Sequence, residues 1–316
     1  MSEVKKIATR ESYGKALAEL GAEYENLVVL DADLAGATMS KFFAAAHPER
    51  FFDCGIAEAN MTDIAAGLST CGYKHFTNTF AIFAAGRAYE QVRNSIAYPH
   101  LNCTVVGSHG GVSVGEDGAT HQCIEDFALM RALPGMLVCC PCDGHEMRLA
   151  VEALINYNGP AYLRLARPAT EIITDEIPGY SFELGKGATL RGGKDVTIIA
   201  TGIMVPQAMK AAEALENDGI SARVIDMHTI KPLDAELVVK AAKETGCIVT
   251  AEEHSVIGGL GSAVCELLSE TCPTPVLRLG VNDEFGRSGK AAEVLDYFGL
   301  NAEGIAAKAR EAVRLK

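Results

Sequence analysis

The chain has 316 residues, 48% of them apolar and 22% charged, a globular balance that excludes disordered and fibrous classes and leaves room for two domains of ordinary size. Its formal charge of −13 argues against a nucleic-acid surface, because phosphate backbones are bound by a clustered excess of Lys and Arg. Any anionic ligand must be held by a few local cations.

The N-terminal stretch "MSEVKKIATRESYGKALAEL" carries charges throughout and no apolar core, so no signal peptide is expected. No run approaches membrane-spanning length, and a cytoplasmic protein is expected. Helical periodicity at 11–22, 59–70, 84–97, 123–133 and 144–156 is interleaved with the strand-like runs "NLVVLDAD" (26–33), "NCTVVGS" (102–108), "GMLVCCP" (135–141) and "AYLRLAR" (161–167). That alternation predicts a parallel sheet covered on both faces, in a first domain over 1–170. From 171 to 193, Pro178 and a run of glycines break the pattern and predict an interdomain linker. A second cycle over 194–316 follows, with strands "DVTIIATG", "ARVIDMH", "CIVTAEE" and "PVLRLGV" and helices near 205–217, 234–245 and 259–271. The fold class is therefore α/β, with two doubly wound domains. The ten cysteines are scattered among apolar neighbours, as reduced thiols in a cytosolic protein would be, and Cys140 and Cys142 lack the spacing of a zinc pair.

Open parallel sheets bind ligands outside the carboxyl ends of their strands. The loops at those ends are "DADLAGAT" (31–38), "GIAEANM" (55–61), "GSHGGVSVGEDGATHQ" (107–122) and "ARPAT" (166–170). Residue by residue, most of their side chains also have plain structural roles. Glu58 suits a helix N-terminus, where negative charge is favoured. Phe80 and Phe83 in "NTFAIFAAG" suit a core. Arg167 suits a surface ion pair. His109 and His121 beside Asp117 in one glycine-rich loop point instead to a site. "GGLGSA" (258–263) lacks the third glycine of a dinucleotide loop and suits a helix start or close packing.

Together these segments resemble the C-terminal half of transketolase, from about residue 8 to the chain's end. "GIAEANM" is similar to the thiamine-enzyme motif with the catalytic glutamate, and "NTFAIFAAGRAYEQVR" to the segment that receives the aminopyrimidine ring. "GSHGGVSVGEDGATHQ" resembles the sugar loop and is the specific match, since beta subunits of 2-oxoacid dehydrogenases carry a different version. "EEHSVIGGLGSAV" and "DEFGRSG" resemble features of the family's third domain. The resemblance implies a pyrimidine-binding thiamine diphosphate domain followed by a transketolase C-terminal domain.

By the same resemblance, Glu58 is the catalytic carboxyl at the cofactor's ring N1′, and Phe83 with Phe80 stacks on the aminopyrimidine. His109, Asp117 and His121 bind sugar hydroxyls, and Arg167 binds a terminal phosphate. Asp33 either helps to hold the cofactor or caps the neighbouring turn. The family's phosphate-binding serine in the 31–38 loop is replaced by Ala37, with Thr38 beside it.

The family's Gly-Asp-Gly…Asn motif, which holds Mg²⁺ on the diphosphate, is absent from this sequence. No metal ligand is therefore assigned within this chain. A partner N-terminal subunit is expected to supply that motif, and the assembly is expected to be a dimer of heterodimers acting on sugar phosphates. Alternatives are a 2-oxoacid dehydrogenase beta subunit, a deoxyxylulose-phosphate-synthase-like enzyme, or a non-catalytic binding module on the same fold.

Overall fold

The computed structural model describes residues 5–316. Its strands are β1 Lys6–Ala8, β2 Leu27–Asp31, β3 Phe51–Asp53, β4 Lys74–Phe80, β5 Cys103–Ser108, β6 Leu137–Cys139, β7 Pro160–Arg164, β8 Ala169–Glu171, β9 Ala188–Arg191, β10 Val196–Ala200, β11 Ala222–Asp226, β12 Thr229–Lys231, β13 Ile248–Ser255 and β14 Val276–Val281. The larger sheet runs β12-β6-β7-β5-β4-β2-β3 and the smaller β14-β13-β10-β11-β9. Within these two sheets all neighbours are parallel except β12 and β9, antiparallel strands that each close one edge, while β1 and β8 form a separate antiparallel pair. No helix among the described residues is long and apolar enough to cross a membrane.

Successive residues of a strand point to opposite faces, and both faces here are dry. Val28 and Leu30 of β2 join the core on one side of the larger sheet, Leu27 and Val29 the core on the other. In the smaller sheet, Ile198 and Val224 face one cluster while Ile199 and Ile225 face the other. Helices supply the covering layers, as the sequence pattern required.

Three features depart from the sequence reading. The central strand β4, "KHFTNTF", is absent from the expected list because its polar residues hide it, yet His75, Thr77, Asn78 and Thr79 are all buried. Asn78 is fully met inside: it accepts from Tyr13 Oη at 2.5 Å and donates to the Leu30 and Phe76 carbonyls. Second, the helix expected at 84–97 is π-helical at Phe83–Arg87 and Val92–Ala97, a geometry common at functional sites. Third, the segment expected as a linker over 171–193 contributes edge strand β9, and β12 leaves the second domain to pair with β6 of the first. The chain pins this crossing segment to the helix Gly144–Asn156, whose N-cap Asp143 also accepts from the backbone N–H groups of Ile173 and Thr174, each at 2.8 Å. The glycines at 258–259 open the helix Leu260–Thr271, and a Cβ at Gly259 would stand 1.9 Å from Glu252, so both expected roles are present.

Candidate active site

From β2 the chain turns one way to β3, whereas β4 leads the other way to β5. The carboxyl ends of β2 and β4 therefore flank a topological switch point, the usual crevice of such sheets. Phe80 ends β4, and Phe83 begins the π-helical turn after it. Their rings stack with centroids 6.0 Å apart. His109, from the loop after β5, stacks on Phe80 at 4.1 Å, and His121 meets Phe83 edge-on at 5.6 Å. Phe80, Phe83, His109 and His121 thus form one cluster, although they are spread over three segments of sequence. Phe80 is buried, while Phe83 is only half-buried and keeps part of its ring open.

Glu58 is the first residue of the helix Glu58–Thr70 and is 2% exposed. Its carboxylate accepts from Arg87 Nη1 at 2.8 Å, and the same guanidinium lies 4.5 Å over the Phe83 ring. Glu58 is a helix-terminus charge whose carboxylate also meets the aromatic cluster through Arg87, so its helix role leaves a role in a site open. Arg87 was not singled out from the sequence; its position within the aromatic segment, on the π-turn, is what brings it back over Phe83. A flat, N–H-bearing group already rests on Phe83 while bonded to Glu58. The residues present consequently fit a planar nitrogen heterocycle between ring and carboxyl.

His109 is 3% exposed and sits at φ +58°, with Nδ1 2.8 Å from Ser108 Oγ. Burial, and then the nearby charges of Arg10 and Arg167, push its pKa down to about 3, so the imidazole is neutral at pH 7. His121 is half-buried, and Asp117 is exposed at the loop's rim. Arg167 donates to the Val114 carbonyl and pairs with Glu116 at 3.0 Å, the surface ion pair that the sequence allowed.

Arg10 is the cation that sequence reasoning missed. Nη1 donates to the Ala37 carbonyl at 2.7 Å and Nε to the Arg167 carbonyl at 3.3 Å, so it ties the 31–38 loop to the 166–170 loop. Burial and the neighbouring Arg167 lower its pKa. Arg10 lies in the first turn of the helix Thr9–Leu20, where the helix dipole disfavours positive charge, and that misfit was the signal available in the sequence.

Asp33 is exposed, has φ +60°, and is fixed through its backbone N–H to Asp53 at 3.1 Å. Capping of the turn falls to Asp31 instead. Its carboxylate accepts from the Leu34 N–H at 2.6 Å and from the Thr38 and Ser40 hydroxyls, each at 2.8 Å, while burial raises its pKa to about 6. Thr38 is thereby fully committed inward, leaving Ala37 as the loop's neighbour to Arg10. Among the described residues, the one grouping of three potential metal ligands is Cys142, Glu146 and Asp226, and none of these touches the Glu58–Phe83 cluster.

Family models for the transketolase pyrimidine binding domain and the transketolase C-terminal domain match residues 5–171 and 185–305. A protein assigned as a transketolase C-terminal section from Methanocaldococcus jannaschii is 50% identical over 96% of both chains. The 6-deoxy-6-sulfo-D-fructose transketolase subunit of a Clostridium species is 45% identical, covering 97% of this chain and 95% of its own. A solved structure described as "split gene transketolase, inactive beta4 tetramer" superposes with a TM-score of 0.91 at 53% identity, over 98% of this chain and 99% of that one.

Proposed function

Because this chain belongs to the transketolase family and corresponds to its C-terminal part, we propose that it is one subunit of a split transketolase, moving a two-carbon ketol unit between sugars on thiamine diphosphate. The observation that carries the reading is the Glu58–Arg87–Phe83 arrangement, in which a flat N–H-bearing group rests on an aromatic face while bonded to a carboxyl, the place a flat nitrogen base would take. When bound, the cofactor supplies the carbanion chemistry. Phe83 orients the aminopyrimidine by stacking, and the Glu58 carboxyl holds a proton at N1′. Neutral His109 can donate one hydrogen bond and accept another, which suits sugar hydroxyls, and His121 offers its ring nitrogens beside it. Asp117, at the exposed rim, joins them, and Asp33 borders the cofactor from the loop after β2.

Arg10 and Arg167 form the anion end of the site. A guanidinium can meet a tetrahedral anion through two parallel charge-assisted hydrogen bonds. That chemistry accepts phosphate or sulfonate, and a relative's name carries a sulfo sugar. The diphosphate and its Mg²⁺ are assigned to an N-terminal partner subunit, because this sequence has no Gly-Asp-Gly…Asn motif. The reading is supported by the relative described as a subunit and by the solved relative described as an inactive tetramer. In this reading the assembly is a cytoplasmic dimer of heterodimers.

The test is product analysis with the partner present. Ketol transfer lengthens the acceptor by two carbons and releases no CO₂. Decarboxylation of a 2-oxoacid by the same complex would replace this reading with that of a dehydrogenase beta subunit.

A further inference from the structure

Glu253 belongs to β13 in the second domain, yet its side chain serves the first. Its Oε1 accepts the backbone N–H of Ser113 at 2.5 Å, and the two residues are 4% and 0% exposed. Ser113 is the middle of a tight turn, Val112–Val114, between Gly111 at φ +82° and Gly115 at φ +85°. A Cβ on Gly111 would stand 2.3 Å from Glu253 Cδ, so glycine is needed there for space as well as for backbone conformation.

The surrounding contacts hold the Glu253 backbone and the loop. Arg164 Nη2 donates to the carbonyls of Cys123 at 3.1 Å and Glu253 at 2.9 Å, while its Nε lies 3.0 Å from Asp126. At the other end of the loop, Gln122 Nε2 donates back to the Val112 carbonyl at 3.0 Å and across to the Arg287 carbonyl at 2.8 Å. The loop that carries His109 and His121 therefore rests on the second domain at its middle, through Ser113, and at its C-terminal end, through Gln122.

We propose that Glu253 is a positioning residue: through the Ser113 N–H, the second domain sets the place of the sugar-binding loop and hence of His109 and His121. This rests on the transketolase reading above. The physical reason is that Ser113 has a buried N–H whose partner comes from another domain, and removing that acceptor leaves the donor unpaired. The turn can relax only by moving, and the histidines move with it. Glu253 meets neither sugar nor cofactor in this scheme.

The experiment compares Glu253→Ala, Glu253→Asp and Glu253→Gln. Amide hydrogen exchange on the isolated chain is the first readout. Ala and Asp, which cannot reach Ser113, should speed exchange over residues 109–118 by about tenfold, the scale of one lost buried hydrogen bond. Exchange in β10 and β11 should stay put. Gln keeps an acceptor of the same reach and should restore most of the protection. With the partner present, Ala and Asp should raise the KM for the donor sugar about tenfold while leaving proton exchange at the cofactor's reactive carbon within about twofold.

Unchanged loop exchange in the Ala and Asp variants would overturn the proposal. So would a Gln variant as damaged as the Ala one. If wild-type complex transfers no ketol unit, the transketolase reading fails, while loop exchange still decides the Glu253 contact.

Discussion

Replacing Arg87 by methionine isolates the contact at the centre of the candidate site. In the isolated chain the guanidinium both pairs with Glu58 at 2.8 Å and covers Phe83 at 4.5 Å, the two places that the proposed function gives to an aminopyrimidine. Binding the cofactor therefore requires Arg87 to leave. A charge-assisted hydrogen bond is worth about 1.5–3 kcal/mol. Because Arg87 is 51% exposed, solvent screening reduces that to about 1 kcal/mol. The cation–π contact adds about 0.5 kcal/mol at such an exposed position. Displacement thus costs about 1.5 kcal/mol, or about tenfold in affinity. Methionine forms neither the ion pair with Glu58 nor the cation–π contact with Phe83, and its uncharged, flexible chain is free to swing aside. Arg87→Met in the assembled complex should bind thiamine diphosphate about tenfold more tightly by isothermal titration calorimetry. Equal or weaker binding would show that Arg87 does not compete with the cofactor and that its contact with Glu58 persists in the loaded site.

Glu58→Gln should leave folding intact and slow proton exchange at the cofactor's reactive carbon by about 10²-fold or more, read by NMR, the range of lost acid–base assistance. An unchanged rate would leave Glu58 only its helix terminus. Arg167→Ala should raise KM strongly for a sugar with a terminal anion and little for its uncharged analogue, in paired specificity constants. Equal losses would make the Arg167–Glu116 contact structural. Asp226 is fully buried beside Glu146 and Cys142, and burial followed by the Glu146 charge raises its pKa well above the ordinary value near ~3.9. The folded state thus binds a proton that the unfolded state gives up, so this contribution is present below the unfolded pKa and fades as pH rises toward the folded one. Asp226→Asn keeps the neutral shape, and its Tm relative to wild type should rise between pH 5 and pH 8. A pH-independent difference would mean that Asp226 is charged.

Loops at the strand ends were legible because glycine, acidic and histidine residues cluster where a parallel sheet delivers its carboxyl ends, as in 107–122. β4 was not, because an internal strand of His, Thr and Asn, with Asn78 met by Tyr13 and a backbone carbonyl, carries no hydropathy signal. Arg10 and Arg87 escaped for a related reason. Each acts through a neighbour supplied by a distant segment, Arg167 for one and Glu58 for the other. The Glu253–Ser113 contact spans 140 residues and two domains, beyond the reach of any local pattern. Helix periodicity at 84–97 was real, but period alone does not separate an α-helix from the π-turns that aim Arg87.

Reconstitution tests the central claim most directly. Thiamine diphosphate should be titrated, with and without Mg²⁺, into this chain alone, into a subunit carrying the Gly-Asp-Gly…Asn motif, and into their mixture. Tight, Mg²⁺-dependent binding and ketol transfer should arise only in the mixture. Full turnover by this chain alone would contradict the account.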